Sequence, residues 1–362
     1  MESGRFVDSC QGLQRVNSSK PLVSVIVPCR NERSYIAKCL ESIFRNDYGP
    51  DGLEVLVVDG GSNDGTQDVL DEYVQRWPQL RWLNNPARTA PAALNIGIKH
   101  ANGDIVMRMD AHCHYPDNYI SALVKWLENS GADNVGGVWR ILPGSDSATA
   151  HAIAIALSHP FGAGDSHFRI GTTTAKWVDT VPFGCYRRSV FERIGLFDEE
   201  LVRNQDDEFN QRLLRNGGRI LLVPDVTIDY YARDSLEKVA RMHYQYGFFK
   251  PLAARKVGRV GTLRQVIPAI FVISLAAALV LAPWSVVARA AFVCILGAYV
   301  AVLMVSIVGA AGRNSLRVAA LLAAVFPVIH FSYAFGSLRG IMHLLGRKHS
   351  GPGKSAEVPL SR

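Results

Sequence analysis

The chain has 362 residues, enough for one complete α/β domain and a further segment. Its residues are 48% hydrophobic, and the apolar excess gathers in the last hundred positions rather than spreading through the chain. A net charge of +7 points to an anionic partner, and six cysteines without a CxxC pair exclude a zinc ribbon and read as reduced thiols facing a cytosol.

The opening stretch, "MESGRFVDSCQGLQRVNSSK", has no apolar h-region, so it does not read as a signal peptide; residues 1–20 are expected to form a flexible leader. From Pro21 onward strands and helices alternate. "LVSVIVP" is a buried strand, followed by Ile36, Leu40, Ile43 and Phe44 at helical spacing. "LEVLVVD" is a second strand, and Val69, Leu70, Tyr73, Val74 and Trp77 mark the next helix. The strand "LRWL", the helix "APAALNIGIKHA", the strand "DIVMRMD", a helix from Pro116 to about Asn129 and the strand "NVGGVWRIL" complete the series. Such alternation predicts a parallel, doubly wound sheet. Residues 147–234 are mixed and include an apolar patch, "ATAHAIAIALSHPFGAG", too short to cross a membrane.

"DSLEKVARMHYQYGFFK", Asp234 to Lys250, puts Leu236, Val239, His243, Tyr246 and Phe249 on one helical face, which predicts an amphipathic helix against the bilayer interface, with an ordinary surface helix of the preceding domain as the alternative; interfacial helices are expected over residues 235–263. Lys250, Arg255, Lys256, Arg259 and Arg264 form a basic collar there, placing that side of the membrane in the cytoplasm by the positive-inside rule. Uncharged runs follow: 24 residues between Arg264 and Arg289, 23 from Ala290 to Gly312 and 21 from Val318 to Leu338. Each nears the ~20 residues of a membrane span, so residues 264–345 read as a membrane domain of two to three spans; a buried helical bundle of a soluble domain is the alternative, and Pro283 and Pro327 leave room for a kinked or re-entrant segment. Arg313 and Arg317 agree with the collar's orientation, whereas Arg339, Arg347 and Lys348 do not if all three runs cross. A basic tail, 346–362, ends the chain. With its basic residues beside the spans rather than along an aromatic groove, the chain does not read as nucleic-acid binding.

In an open parallel sheet, ligands bind beyond the carboxyl ends of the strands. Glu32 in "VPCRNE", Asp59 in "VVDGGSNDGT" and Asp110 in "IVMRMDAH" all fall there. Neither GxGxxG nor GxxxxGK[ST] is present to cradle phosphates, so another group must neutralise a phosphorylated ligand. Asp110 and His112 form an oxygen and nitrogen donor pair suited to Mg²⁺ or, with the imidazole, Mn²⁺. "RNQDDEFNQRLL" sets Asp206, Asp207 and Glu208 at a helix start, where carboxylates cap the dipole or serve as a general base.

Taken in order, "VSVIVPCRNE", "VVDGGSNDGT", "ALNIGIKHANGDIVMRMDAH", "FGCYRRSVFERIGLFDE" and "NQDDEFNQRL" resemble the family-2 glycosyltransferases with the GT-A fold, over roughly Pro21 to Asp225, which implies a GT-A domain over residues 21–234. The form with Asp-Ala-His, "DTVPFGCYRR", "RNQDDE" and C-terminal spans is most similar to the membrane-bound sugar transferases of succinoglycan-type exopolysaccharide synthesis. The resemblance implies a UDP-sugar donor whose nucleoside meets Glu32 and Asp59, with Pro28 and Arg30 shaping that pocket. It implies metal at Asp110 and His112, with His standing for the family's second Asp, and a base at Asp206, where Gln205 replaces the family's Glu and Asp207 compensates. Arg88 is expected on phosphate and Arg212 on the acidic cluster. The implied reaction is a single inverting displacement by a hydroxyl of a polyprenyl-linked acceptor at the lipid surface. The processive members' QxxRW is missing from "YQYGFF" around Gln245, which predicts one sugar per acceptor. A polyprenyl-phosphate sugar transferase and a non-catalytic membrane scaffold of the same fold are the alternatives.

Overall fold

A computed structural model describes residues 20–258 and 262–347. The expected leader, apart from Lys20, the expected tail from Lys348 onward, and Arg259 of the collar lie outside the described residues.

The first half follows the predicted alternation: β1 (Val23–Cys29), α1 (Ile36–Phe44), β2 (Leu53–Asp59), α2 (Thr66–Arg76), β3 (Leu80–Asn84), α3 (Ala90–His100), β4 (Ile105–Arg108), α4 (Tyr119–Ser130) and β5 (Asn134–Leu142). The strands read as unbroken apolar runs because helices cover both faces of the sheet. Val23, Val25 and Val27 of β1 enter one core layer, while Ile26 enters the other with Leu56 and Val58 of β2. The middle of the chain adds α5 (Ala148–Ser158), α6 (Pro160–Ala163), α7 (His167–Ile170), β6 (Lys176–Trp177), β7 (Cys185–Arg187), α8 (Arg188–Ile194), α9 (Gln205–Arg215) and β8 (Ile220–Tyr231).

The eight strands lie in the order β3-β2-β1-β4-β7-β5-β8-β6. The sheet is mostly parallel, but β7 runs antiparallel between β4 and β5, and β6 is an antiparallel edge. This is the mixed sheet of a GT-A-like fold rather than a uniformly parallel one. The pairing of β5 with β8 shifts register after Gly137, where Pro224 to Val226 bulge out of β8; a proline there has no N–H to give the ladder.

The C-terminal part consists of α10 (Leu236–Val257), α11 (Ile267–Leu281), α12 (Val286–Ala311) and α13 (Leu316–Arg347). α10 corrects the surface-helix expectation. Its apolar face is covered by protein: Val239 and Met242 pack with Phe326 and Ile329 of α13, and Phe249 packs with Leu201. Helical periodicity reveals that a face is apolar but not what covers it. The two helices touch at backbone distance, since a Cβ on Gly247 would strike the Tyr333 carbonyl and one on Gly336 the Tyr244 carbonyl.

The collar is likewise corrected. Lys250 pairs with Asp207 at 2.7 Å, Lys256 with Asp198 at 2.5 Å and Glu200 at 2.7 Å, and Arg264 with Asp165 at 2.6 Å and with Asp179. These cations are tied to acids of the α/β domain before any lipid is considered.

The first apolar run yields only the 15-residue α11, about 22 Å at 1.5 Å per residue, because the chain turns at Pro283 and Ser285 caps α12. α12, with 26 residues, and α13, whose apolar part covers 31, are each long and apolar enough to cross a membrane. α13 continues through Pro327 without a break.

Candidate active site

The carboxyl ends of β1, β2 and β4, the start of α9 and the helices α10 to α13 enclose one cavity of about 1020 Å³. Of the predicted residues, Pro28, Arg30, Glu32, Arg88, Asp110, His112, Asp206 and Asp207 line it. Asp59 does not. It is fully buried behind the wall, where it accepts hydrogen bonds from the N–H groups of Gly61 (3.1 Å) and Ser62 (3.0 Å) and from Gln67 Nε2 (2.7 Å). Its visible task is to hold the 60–65 loop against β1. That loop is also fixed by Asn31, whose N–H donates to Ser62 Oγ at 2.7 Å and whose Oδ1 accepts from Asn63 N at 2.9 Å. Gly60 lies against the Arg30 stem, which a Cβ there would meet at 3.2 Å.

β4 ends at Arg108, and the next two turns of chain bring Asp110 and His112 to the floor of the cavity. Both oxygens of Asp110 accept from Arg108, Nε at 2.8 Å and Nη2 at 3.0 Å, in a bidentate pair. Burial works against ionisation of Asp110, yet the Arg108 guanidinium overrides it and holds the carboxyl below its ordinary range. Glu32 lies 3.5 Å from His112 Nδ1, and this contact, with Asp110 adding to it against the opposing effect of burial, raises the imidazole's pKa. Among the described residues no three His, Cys, Asp or Glu side chains cluster tightly enough to hold a metal alone. One carboxylate, whose oxygens already accept from Arg108, and one imidazole would fit a divalent cation only together with oxygens supplied by a ligand.

At the start of α9 the two aspartates part ways. Asp207 is tied down by Lys250 and by Gln265 Nε2 at 3.3 Å. Asp206 Oδ1 accepts from the N–H of the next residue, Asp207, at 2.8 Å, within the first turn of the helix. Its negative charge also acts on Arg108, so that guanidinium feels both Asp110 and Asp206. Glu208 is buried on Arg212, with Nε–Oε1 at 2.9 Å; the expected link from Arg212 to the acidic cluster goes to this residue, away from the cavity.

Sequence reasoning missed Arg108, Arg203 and Arg233. Arg203 lowers the pKa of Asp110 and Arg233 that of His112, each a lesser influence among several. A signal for Arg108 existed: residues i and i+2 of a strand share a face, so a charge inside "VMRMD" demanded Asp110 as partner. In all, eight Lys and Arg side chains face four carboxylates around the cavity, an excess suited to an anionic ligand. The four non-glycine residues with left-handed backbone among those described, Asn31, Arg88, Phe183 and Asn204, all line it. Strain of this kind gathers at binding and catalytic sites.

The far wall differs in character. Ile267, Phe271, Tyr299 and Ile329 close the cavity on the side of α11 to α13.

Comparison with known proteins agrees with this arrangement. The family description "Glycosyl transferase family 2" matches residues 24–195. The succinoglycan biosynthesis protein ExoA of Rhizobium meliloti is 30% identical over 73% of this chain and 79% of its own. A glucuronosyltransferase of Methanococcus voltae, named as acting on dolichyl N-acetyl-α-D-glucosaminyl phosphate, is 30% identical over 65% of this chain and 74% of its own. In three dimensions the chain is similar to the mannosyltransferase PcManGT from Pyrobaculum calidifontis, solved with GDP-Man and Mn²⁺, with a TM-score of 0.58 at 21% identity over 90% of this chain and 88% of that one. The shared fold, the carboxylates at its strand ends and relatives matched along most of their length place this chain in the family-2 glycosyltransferases of the GT-A fold.

Proposed function

We propose that the protein moves one sugar from a UDP-sugar to a hydroxyl of a polyprenyl-linked saccharide at the cytosolic membrane face, with inversion, in exopolysaccharide or cell-envelope glycan synthesis. The observation that carries this reading is the cavity itself. Carboxylates and an excess of cations occupy one end and an apolar wall the other, which suits a nucleoside diphosphate meeting a lipid-borne acceptor. The names of the Methanococcus and Rhizobium relatives support the acceptor class and the pathway.

In this reading Arg30 and Glu32 border the nucleoside, the 60–65 loop held by Asp59 forms its floor, and Arg88 meets phosphate. Asp110 and His112 would hold Mg²⁺ or Mn²⁺, which when bound supplies positive charge to the leaving diphosphate. Asp206, which lines the cavity at the start of α9, takes the proton of the acceptor hydroxyl as it attacks the anomeric carbon from the face opposite the leaving group. Asp207, fixed by Lys250, orients the first turn of α9.

Membranes containing the protein, incubated with a panel of UDP-sugars and lipid-linked acceptors with and without Mn²⁺ or Mg²⁺, should yield one new lipid-linked saccharide by mass analysis. Asp206→Asn should lower kcat by roughly 10²–10⁴ and leave donor affinity intact, as expected for loss of a general base. Full activity of that variant would favour a phosphate acceptor, already ionised and in no need of a base. No UDP release with any donor would favour the non-catalytic scaffold.

A further inference from the structure

We propose that Arg169 and Arg233 form a second anion site inside the cavity, one that takes the phosphate of the acceptor lipid rather than the diphosphate of the donor. The inference deepens the sugar-transfer reading above and rests on it for the identity of the acceptor. It begins from how the charges are paired. Of the cations that line the cavity, Arg108 is held by Asp110, Lys250 by Asp207, and Arg264 by Asp165 and Asp179. Arg88 lies against Gly61, in the loop beneath the donor. Arg169 and Arg233 have no acid partner among the described residues, and Nε of Arg233 is buried without a hydrogen bond. A half-buried guanidinium with no anion beside it is costly, so this part of the cavity is complete only when a ligand supplies the negative charge.

The two arginines share one place, around Tyr230. Burial pushes that phenol up to about 12, Tyr246 adds to the rise, and Arg169 and Arg233 both act against it. Tyr230 stacks on Trp139 with ring centres 4.2 Å apart, and the Arg169 guanidinium stands 5.3 Å from the Trp139 ring and 5.4 Å from that of Phe168. An arginine laid over aromatic faces keeps its fork of donors in a fixed plane, which suits the paired oxygens of a phosphate.

Position assigns the site to the acceptor. Arg169 is carried by the segment from Pro160 to Ile170, whose other end is fastened to the apolar helices. There the Phe161 ring lies 5.5 Å from that of Tyr299 and 5.0 Å from that of Phe326, and its carbonyl accepts from His330 Nε2 at 2.7 Å. Arg233 follows the end of β8 by two residues, and its charge acts on His112. The pair therefore stands between the end of the cavity that holds Asp110 and His112 and the apolar wall of Phe271, Tyr299 and Ile329. A lipid-borne acceptor has its charge at the same boundary. Its polyprenyl chain takes the wall, its phosphate the two arginines, and its sugar hydroxyl points to Asp206.

The test is binding, measured apart from turnover. The full chain in detergent micelles, saturated with UDP, is titrated calorimetrically with farnesyl phosphate and with farnesol. The proposal expects the phosphate to bind at least tenfold more tightly than the alcohol while UDP stays bound. Arg169→Gln and Arg233→Gln should each weaken farnesyl phosphate about tenfold or more, the loss of one charge-assisted hydrogen bond, with UDP affinity and the midpoint of thermal unfolding unchanged. Exclusion of farnesyl phosphate by UDP, or a fall in UDP affinity at an unchanged midpoint, returns the arginines to the donor's diphosphate and overturns the proposal. Equal binding of phosphate and alcohol, or unchanged affinity in both variants, overturns it as well. The wild-type comparison needs no substitution, so it decides even where a variant fails to fold. A failure of the sugar-transfer reading shows separately, as absent UDP release with every donor.

Discussion

The pairing of Arg108 with Asp110 sets much of the electrostatics of the cavity floor. Both side chains are largely buried, at 13% and 16% exposure, so removing one partner leaves an uncompensated charge. Arg108→Met should cost about 3–5 kcal/mol of stability, measured by thermal or denaturant unfolding. The double variant Arg108→Met/Asp110→Asn should recover much of this while staying inactive. The native carboxyl is depressed, so the pair's contribution is complete above the ordinary carboxylate range and is lost as pH falls through the lowered pKa of Asp110. Arg108→Met should therefore flatten the acid arm of the stability curve. Asp110, His112 and Asp206 were legible in the sequence because strand ends and helix starts are where such a sheet gathers its polar groups. Arg203 and Arg233 were not, since only the fold brings them to the same floor. Asp59 was legible as a strand-end carboxylate, but its burial behind the 60–65 loop was not.

Single elements show where periodicity stops informing. The strands β1 to β5 and the helices between them were readable, being long and regularly patterned. The three-residue β7 was not; so short a strand carries no period, and its antiparallel insertion between β4 and β5 emerges only from pairing. α10 was read correctly as amphipathic and wrongly as lipid-facing, because its cover, α13, arrives some eighty residues later. The contact between them depends on bare backbone. Gly336→Val should fail to seat α13 on α10, since the added carbons meet the Tyr244 carbonyl rather than a side chain that can yield. The expected outcome is faster proteolysis within residues 244–340 and a lower midpoint of thermal unfolding, with Gly309→Val, which meets open space on α12, as the unaffected control.

For the molecule as a whole, the catalytic sheet and the apolar helices share one cavity, lined by carboxylates and cations at one end and by an apolar wall at the other. On the proposed reading a lipid-borne acceptor meets the donor there once, since the stretch around Gln245 lacks the QxxRW of processive members. Purified enzyme with a single lipid acceptor should produce one product heavier by one sugar, and a ladder of masses would contradict this. That domain and helices are one unit was beyond the sequence, where a charged stretch before an apolar run reads as a boundary; Lys250, Lys256 and Arg264 instead reach back to acids of the catalytic domain.

Asn31, Arg88, Phe183 and Asn204 hold backbone angles that suit glycine better than themselves. Anyone wishing to harden this enzyme for the bench would be drawn to these positions first, since exchanging such a residue for glycine relieves torsional discomfort locally. Each such repair would remove a side chain from the rim of the reaction chamber. Sturdier versions are better sought at the last turns of α1, α2 and α4, since their first turns brace Asp110, Glu32 and Asp59.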